Sequence, residues 1–71
     1  MAEVKVFYDQ TGNTLTVRFG DPADEFEAEE TGDGIILIKN AKGDVIGFEK
    51  LNFTLAQAEN MRVVFETSAP Q

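Results

Sequence analysis

Apolar residues recur at every second position in two segments near the start of the chain. Val4, Val6 and Tyr8 share one side of residues 3–8, and Leu15, Val17 and Phe19 share one side of residues 14–19, opposite Thr14, Thr16 and Arg18. A period of two is the spacing of side chains along one face of a strand. Between the segments lies Asp9-Gln10-Thr11-Gly12-Asn13. Asp and Asn bond their own backbone and Gly accepts a positive φ, so the two strands are predicted to form a hairpin. Gly20-Asp21-Pro22 ends the second strand. Farther on, Phe26, Ala28 and Glu30 alternate with Glu27 and Glu29, the pattern of a short, charged edge strand.

Gly32-Asp33-Gly34 breaks the chain again, and residues 35–38, Ile-Ile-Leu-Ile, are apolar on both sides. That is the mark of a strand covered on both faces. Asn40-Ala41-Lys42-Gly43-Asp44 is the next turn. The returning strand, residues 45–51, sets Ile46 and Phe48 on one face and Val45, Gly47, Glu49 and Leu51 on the other. A glycine inside a strand marks a bulge or a close approach of backbone. The composition then shifts. Thr54 and Gln57 have capping-box spacing before Leu55, Ala56, Ala58 and Glu59, which predicts a helix of about two turns. Arg62-Val63-Val64-Phe65-Glu66 has strand composition and is expected to rejoin the sheet, within the chain or across to a second copy, and residues 68–71 read as a frayed tail. The fold class is therefore mainly β, with α+β as the variant the helix allows. It is one small domain over residues 1–71, an antiparallel meander of four or five strands with a short helix near the C-terminus.

Charge changes this picture in one place. The formal net charge is −7, and residues 21–33 hold seven acids (Asp21, Asp24, Glu25, Glu27, Glu29, Glu30 and Asp33) and no base. The other 58 residues carry six acids and six bases, so they are neutral. The chain has no cysteine and no histidine. Disulfides, thiolate nucleophiles, imidazole bases and nitrogen metal ligands are thereby excluded, and with them triad-type catalysis. Lys5, Arg18, Lys39, Lys42, Lys50 and Arg62 are scattered and too few for a phosphate-binding stripe, so no nucleic-acid partner is expected. No apolar run approaches a membrane span and the N-terminus lacks a signal-peptide layout; a cytoplasmic protein is the expectation.

Two patterns carry a resemblance. Tyr8-Asp9-x-x-x-Asn13-x-Leu15-x-Val17-x-Phe19 is followed by Gly43-x-Val45-Ile46-Gly47-Phe48-Glu49-x-Leu51. In this order and spacing, over about residues 4–51, they resemble the small bacterial proteins grouped as domain of unknown function 2283. Lys50 stands where that family prefers an aliphatic residue and Asn13 where it commonly has Asp, and the chain from Asn52 has no counterpart in it. The resemblance implies a small β-rich fold and transfers no catalytic or cofactor site. Some relatives look like partners of small toxins, which implies an antitoxin-like class of function.

Three chemistries compete for the acidic segment. Divalent cations take carboxylate oxygens, but Asp21-Pro22-Ala23-Asp24-Glu25-Phe26 fails the EF-hand pattern at its third residue. A docking surface for a small basic protein would use Asp21, Asp24, Glu25, Glu27, Glu29 and Glu30. The plainest reading is a solvated segment that guards a sheet edge. Glu49, the acid in an otherwise apolar strand, is the candidate for an enzyme or ligand site; a solvent-facing residue, or one paired with Lys39 or Lys50, is the simpler account. Asp9 and Asn13 are expected to shape their turn, and the six phenylalanines to lie mostly in the core. Because one short helix covers one face of a sheet at most, a homodimer or larger assembly is expected. The function expected is thus a non-enzymatic protein-interaction module without a cofactor, with a small enzyme or metal- or ligand-binding protein acting through Glu49 or residues 21–33 as the alternative.

Overall fold

The structure is a computed structural model that describes residues 3–54 and 61–70. Five strands follow one another: β1 (Lys5–Asp9), β2 (Thr14–Arg18), β3 (Glu27–Glu30), β4 (Ile35–Lys39) and β5 (Val45–Lys50), with one turn of 3-10 helix at Pro22–Asp24. They form one antiparallel sheet in the order β1-β2-β5-β4-β3.

That order corrects the expected meander. β2 pairs with β5 and not with the strand that follows it, so β2 to β5 take up a Greek-key arrangement. The link from β2 to β3 runs along one end of the sheet, past the start of β5 and the end of β4. The reason is composition. A strand in the middle of a sheet needs apolar side chains, and Glu27-Ala28-Glu29-Glu30 has one small one, so it goes to the edge.

The hairpin turns form as their residues dictate. Asp9 Oδ1 accepts from the Thr11 and Gly12 amides at 3.0 and 3.1 Å. Asn40 Oδ1 accepts from the Lys42 and Asp44 amides at 3.0 and 2.9 Å. In the second turn Gly43 takes the positive φ, 89°, but in the first it is Asn13, at 54°, and not Gly12 as expected. Asn tolerates the left-handed region better than any residue but Gly.

Register assigns the two faces. Val6, Tyr8, Leu15, Val17, Phe48, Lys50, Ile35, Leu37 and Glu29 lie on one; Lys5, Phe7, Thr16, Arg18, Gly47, Glu49, Ile36, Ile38, Ala28 and Glu30 lie on the other. The expected division holds for Gly47, Phe48 and Glu49; Val45 pairs with Lys39 across a register shift, which breaks the alternation at the start of β5.

Gly47 sits where β2 and β5 meet. A Cβ there would lie 2.7 Å from the Val17 carbonyl oxygen and 3.2 Å from Arg18 Cα. The ladder from β4 to β5 also shifts register between Ile38 and Lys39. A strand glycine marking close approach beside a bulge is what the sequence suggests.

The chain after β5 returns to the first hairpin. The Phe53 amide donates to the Asn13 carbonyl at 2.7 Å, and the Phe53 ring meets Tyr8 edge-on with centroids 6.0 Å apart. The helix predicted over residues 55–59 lies outside the described residues. The strand predicted over residues 62–66 does not form: residues 61–70 have no regular structure and, apart from Met61, are exposed.

The phenylalanines are a second correction. Phe7, Phe19, Phe26 and Phe65 are exposed, between 48% and 84%, and only Phe48 and Phe53 are half-buried. Among the described residues, no second layer lies on the sheet to enclose them. Among the described residues, the one fully buried apolar side chain is Ile38, opposite Gly47.

Candidate functional site

The acidic segment divides into a link and an edge. In the link, Asp21 Oδ1 accepts from the Ala23 amide at 2.9 Å and caps the 3-10 turn. Pro22 opens that turn, and its missing N–H costs nothing there. Asp21 is thereby a structural residue. Glu25 closes the link, its Oε1 2.8 Å from Arg18 Nη1. Arg18 reaches it by lying against Gly47, its Cγ 3.3 Å from where a Cβ would stand. The missing side chain of Gly47 makes room for the arginine stem.

At the edge, Glu27, Ala28, Glu29 and Glu30 are all exposed. Glu29 bonds and pairs with Lys39, which is diagonal to it on the same face. The hydrogen bond from Lys39 to Glu29 raises the lysine pKa above its ordinary 10.5, and the charges of Glu29 and Glu27 act in the same direction.

The six candidates therefore do not form one patch of equivalent carboxylates. Asp21 is a cap, while Glu25 and Glu29 are held by the chain's own cations. Asp24, Glu27 and Glu30 have no side-chain hydrogen bond or ion pair among the described residues. Beside the link a broad cleft of about 570 Å³ runs to the turn between β4 and β5, lined by Asp24, Glu25, Phe26, Asn40, Lys42 and Asp44 among others. Its charges are mixed. Among the described residues no group of three or more acids is placed to hold a metal ion.

Glu49 lies half-buried in the middle of the sheet, between Thr16 on β2 and Ile36 on β4. The lysine partners considered for it are corrected here. Lys50 is adjacent in sequence and so points to the other face, where its Nζ donates to the Leu51 carbonyl at 3.0 Å, and Lys39 is taken by Glu29. The period of two that made β5 legible rules out a Lys50–Glu49 pair.

Reading the basic residues as merely scattered missed Arg18 and Lys39. Both serve the acidic segment, one from β2 and one from β4. The signal available was Gly47, since a glycine in a strand invites the question of what crosses it.

Among the described residues, no helix is long and apolar enough to cross a membrane. A family model described as "Protein of unknown function (DUF2283)" matches residues 5–53, which takes in all five strands. No curated protein and no solved structure matches the chain.

Proposed function

The chain belongs to the family of domain of unknown function 2283, and from that premise we propose that it is a non-enzymatic protein-interaction module whose sheet is completed by another polypeptide. Its exposed aromatic side chains carry this reading: Phe7 in β1, Phe19 just after β2 and Phe26 just before β3 are between 48% and 69% exposed. Such residues are the usual anchors of interfaces.

The finer reading is an antitoxin-like partner of a small basic protein in the cytoplasm. The net charge of −7 supports it, as does the likeness of some members of the family to toxin partners. Asp24, Glu27 and Glu30, which make no ion pair among the described residues, are the acids that would steer such a partner.

The test is calorimetry and stopped-flow binding with the basic product of an adjacent gene. The wild-type chain is expected to bind it. The variant carrying Asp24→Asn, Glu27→Gln and Glu30→Gln is expected to associate about tenfold more slowly or worse at low salt. An unchanged rate with the fold intact would remove these acids from the interface, and no binding at all would overturn the antitoxin-like reading.

A further inference from the structure

The two edges of the sheet differ, and the β1 edge is complementary to itself. Which backbone groups point outward follows from the ladder. The Phe19 amide donates to the Ile46 carbonyl at 3.0 Å, so Leu15 and Val17 also turn their backbone groups toward β5. The Leu51 amide donates to the Gly34 carbonyl at 2.7 Å, which sets the opposite side of β5 in the same phase. Thr14, Thr16 and Arg18 then face β1 and bond Asp9, Phe7 and Lys5. This leaves the N–H and C=O of Val6 and Tyr8 pointing outward along an edge that no described residue pairs.

We propose that β1 of one copy pairs antiparallel with β1 of a second across a two-fold axis at Phe7, joining two five-stranded sheets into one of ten. In that register Val6 of each copy faces Tyr8 of the other, and their four outward N–H groups find the four outward carbonyls. The two Phe7 rings face each other at the closely spaced, non-hydrogen-bonded position. Lys5 of each copy faces Asp9 of the other. Asp9 Oδ1 is taken by the turn amides, which leaves Oδ2 for the lysine. Shifting the register by two residues keeps the backbone phase but separates Lys5 from Asp9 and Phe7 from its symmetry mate. Only the register centred on Phe7 satisfies hydrogen bonds, aromatic pairing and charge together.

The second copy is the occupant because the edge matches itself. Phe7 is 59% exposed there and the five residues carry one positive and one negative charge, in a chain whose net charge is −7. The β3 edge cannot do the same. Its outward groups belong to Ala28 and Glu30, since the Thr31 amide bonds the Ile35 carbonyl at 3.1 Å and sets Glu27 and Glu29 toward β4. Pairing it with itself at the matching register sets Glu29 against Glu29. A β1 edge on a β3 edge would be head-to-tail, which closes no dimer.

This assembly does not depend on the partner binding proposed above. Its test uses the absence of cysteine from the chain. Cross-strand residues at a non-hydrogen-bonded position are within disulfide reach, so Phe7→Cys is expected to form a covalent dimer in mild oxidant. Glu29→Cys, at the opposite edge, is expected to remain monomeric under the same conditions. Light scattering of the wild type across a dilution series is expected to give twice the 7.8 kDa of the chain, falling to one chain in Phe7→Lys, with unchanged circular dichroism showing that the exposed site tolerates the change. A wild-type monomer throughout, or cross-linking as efficient through position 29 as through position 7, would overturn the proposal. Phe7→Lys binding its basic partner normally would leave the functional reading standing, so the two ideas fail separately.

Discussion

The β1 and β3 edges are similar in length and both exposed, yet they treat an approaching strand in opposite ways. β3 presents Glu27, Glu29 and Glu30 within four residues, and it draws Lys39 to itself from the neighbouring strand. β1 presents Lys5, Val6, Phe7, Tyr8 and Asp9, a run that is neutral and aromatic. Like charges on an edge repel a second sheet; a neutral β-branched and aromatic edge invites one. A sheet guarded at one edge and open at the other can add one neighbour and then stop. That is the condition for a closed dimer and not a fibre.

The largest expected effect comes from breaking the junction that holds the two edges in one sheet. Gly47→Ala puts a Cβ within 2.7 Å of the Val17 carbonyl oxygen, against backbone that cannot move without parting β2 from β5. Overpacking of this kind costs about 1–3 kcal/mol. In so small a domain that lowers the midpoint by roughly 5–20 °C, read by thermal circular dichroism; a midpoint unchanged within a degree or two would show that the junction yields freely. The Arg18–Glu25 bridge should be lost with it, because the arginine stem occupies the same corridor.

A smaller effect is expected from erasing the difference between the edges. Glu27→Thr with Glu30→Thr leaves the Glu29–Lys39 pair in place but gives β3 a neutral, β-prone outline. With both edges open, assembly can continue past the proposed dimer, and light scattering should show higher oligomers than the wild type forms. A variant that stops at the same size as the wild type would mean that β3 is blocked by something other than charge.

The smallest effect concerns Lys39. Its pKa is raised above 10.5 by the Glu29 hydrogen bond, so the folded chain holds that proton more tightly than the unfolded one. The resulting stabilisation is fully present below pH 10.5 and is lost as pH rises through the higher folded value. Glu29→Gln should move the lysine titration, followed by NMR at its Cε protons, back toward 10.5; a titration that stays in place would assign the shift to Glu27 instead.

Much of the fold was legible because strand signals are local. Val4 to Tyr8 and Leu15 to Phe19 alternate, Asp9 and Asn40 carry the side chains that wrap their turns, and Glu27 to Glu30 read as an edge. The candidate site was legible only as a composition. The cap at Asp21 has a local signal in Pro22, which follows it, but nothing near Glu25 and Glu29 says that Arg18 and Lys39 claim them, because those partners come from other strands. The phenylalanines failed for a related reason. Burial depends on whether a second layer exists, and apolar character alone does not supply one.

Local sequence set the strands between residues 4 and 51, the chemistry of their turns and the confinement of the net charge to residues 21–33, since each rests on neighbours a few positions apart; the strand composition of residues 62–66 misled. Pairing across the sheet set β5 beside β2, put Gly47 against the Val17 carbonyl, and left one edge charged and the other neutral. Those outcomes depend on pairing between segments some thirty residues apart, such as Thr16 with Glu49. In such pairing, strands compete for the apolar centre of the sheet, and the one with least to bury is left outside.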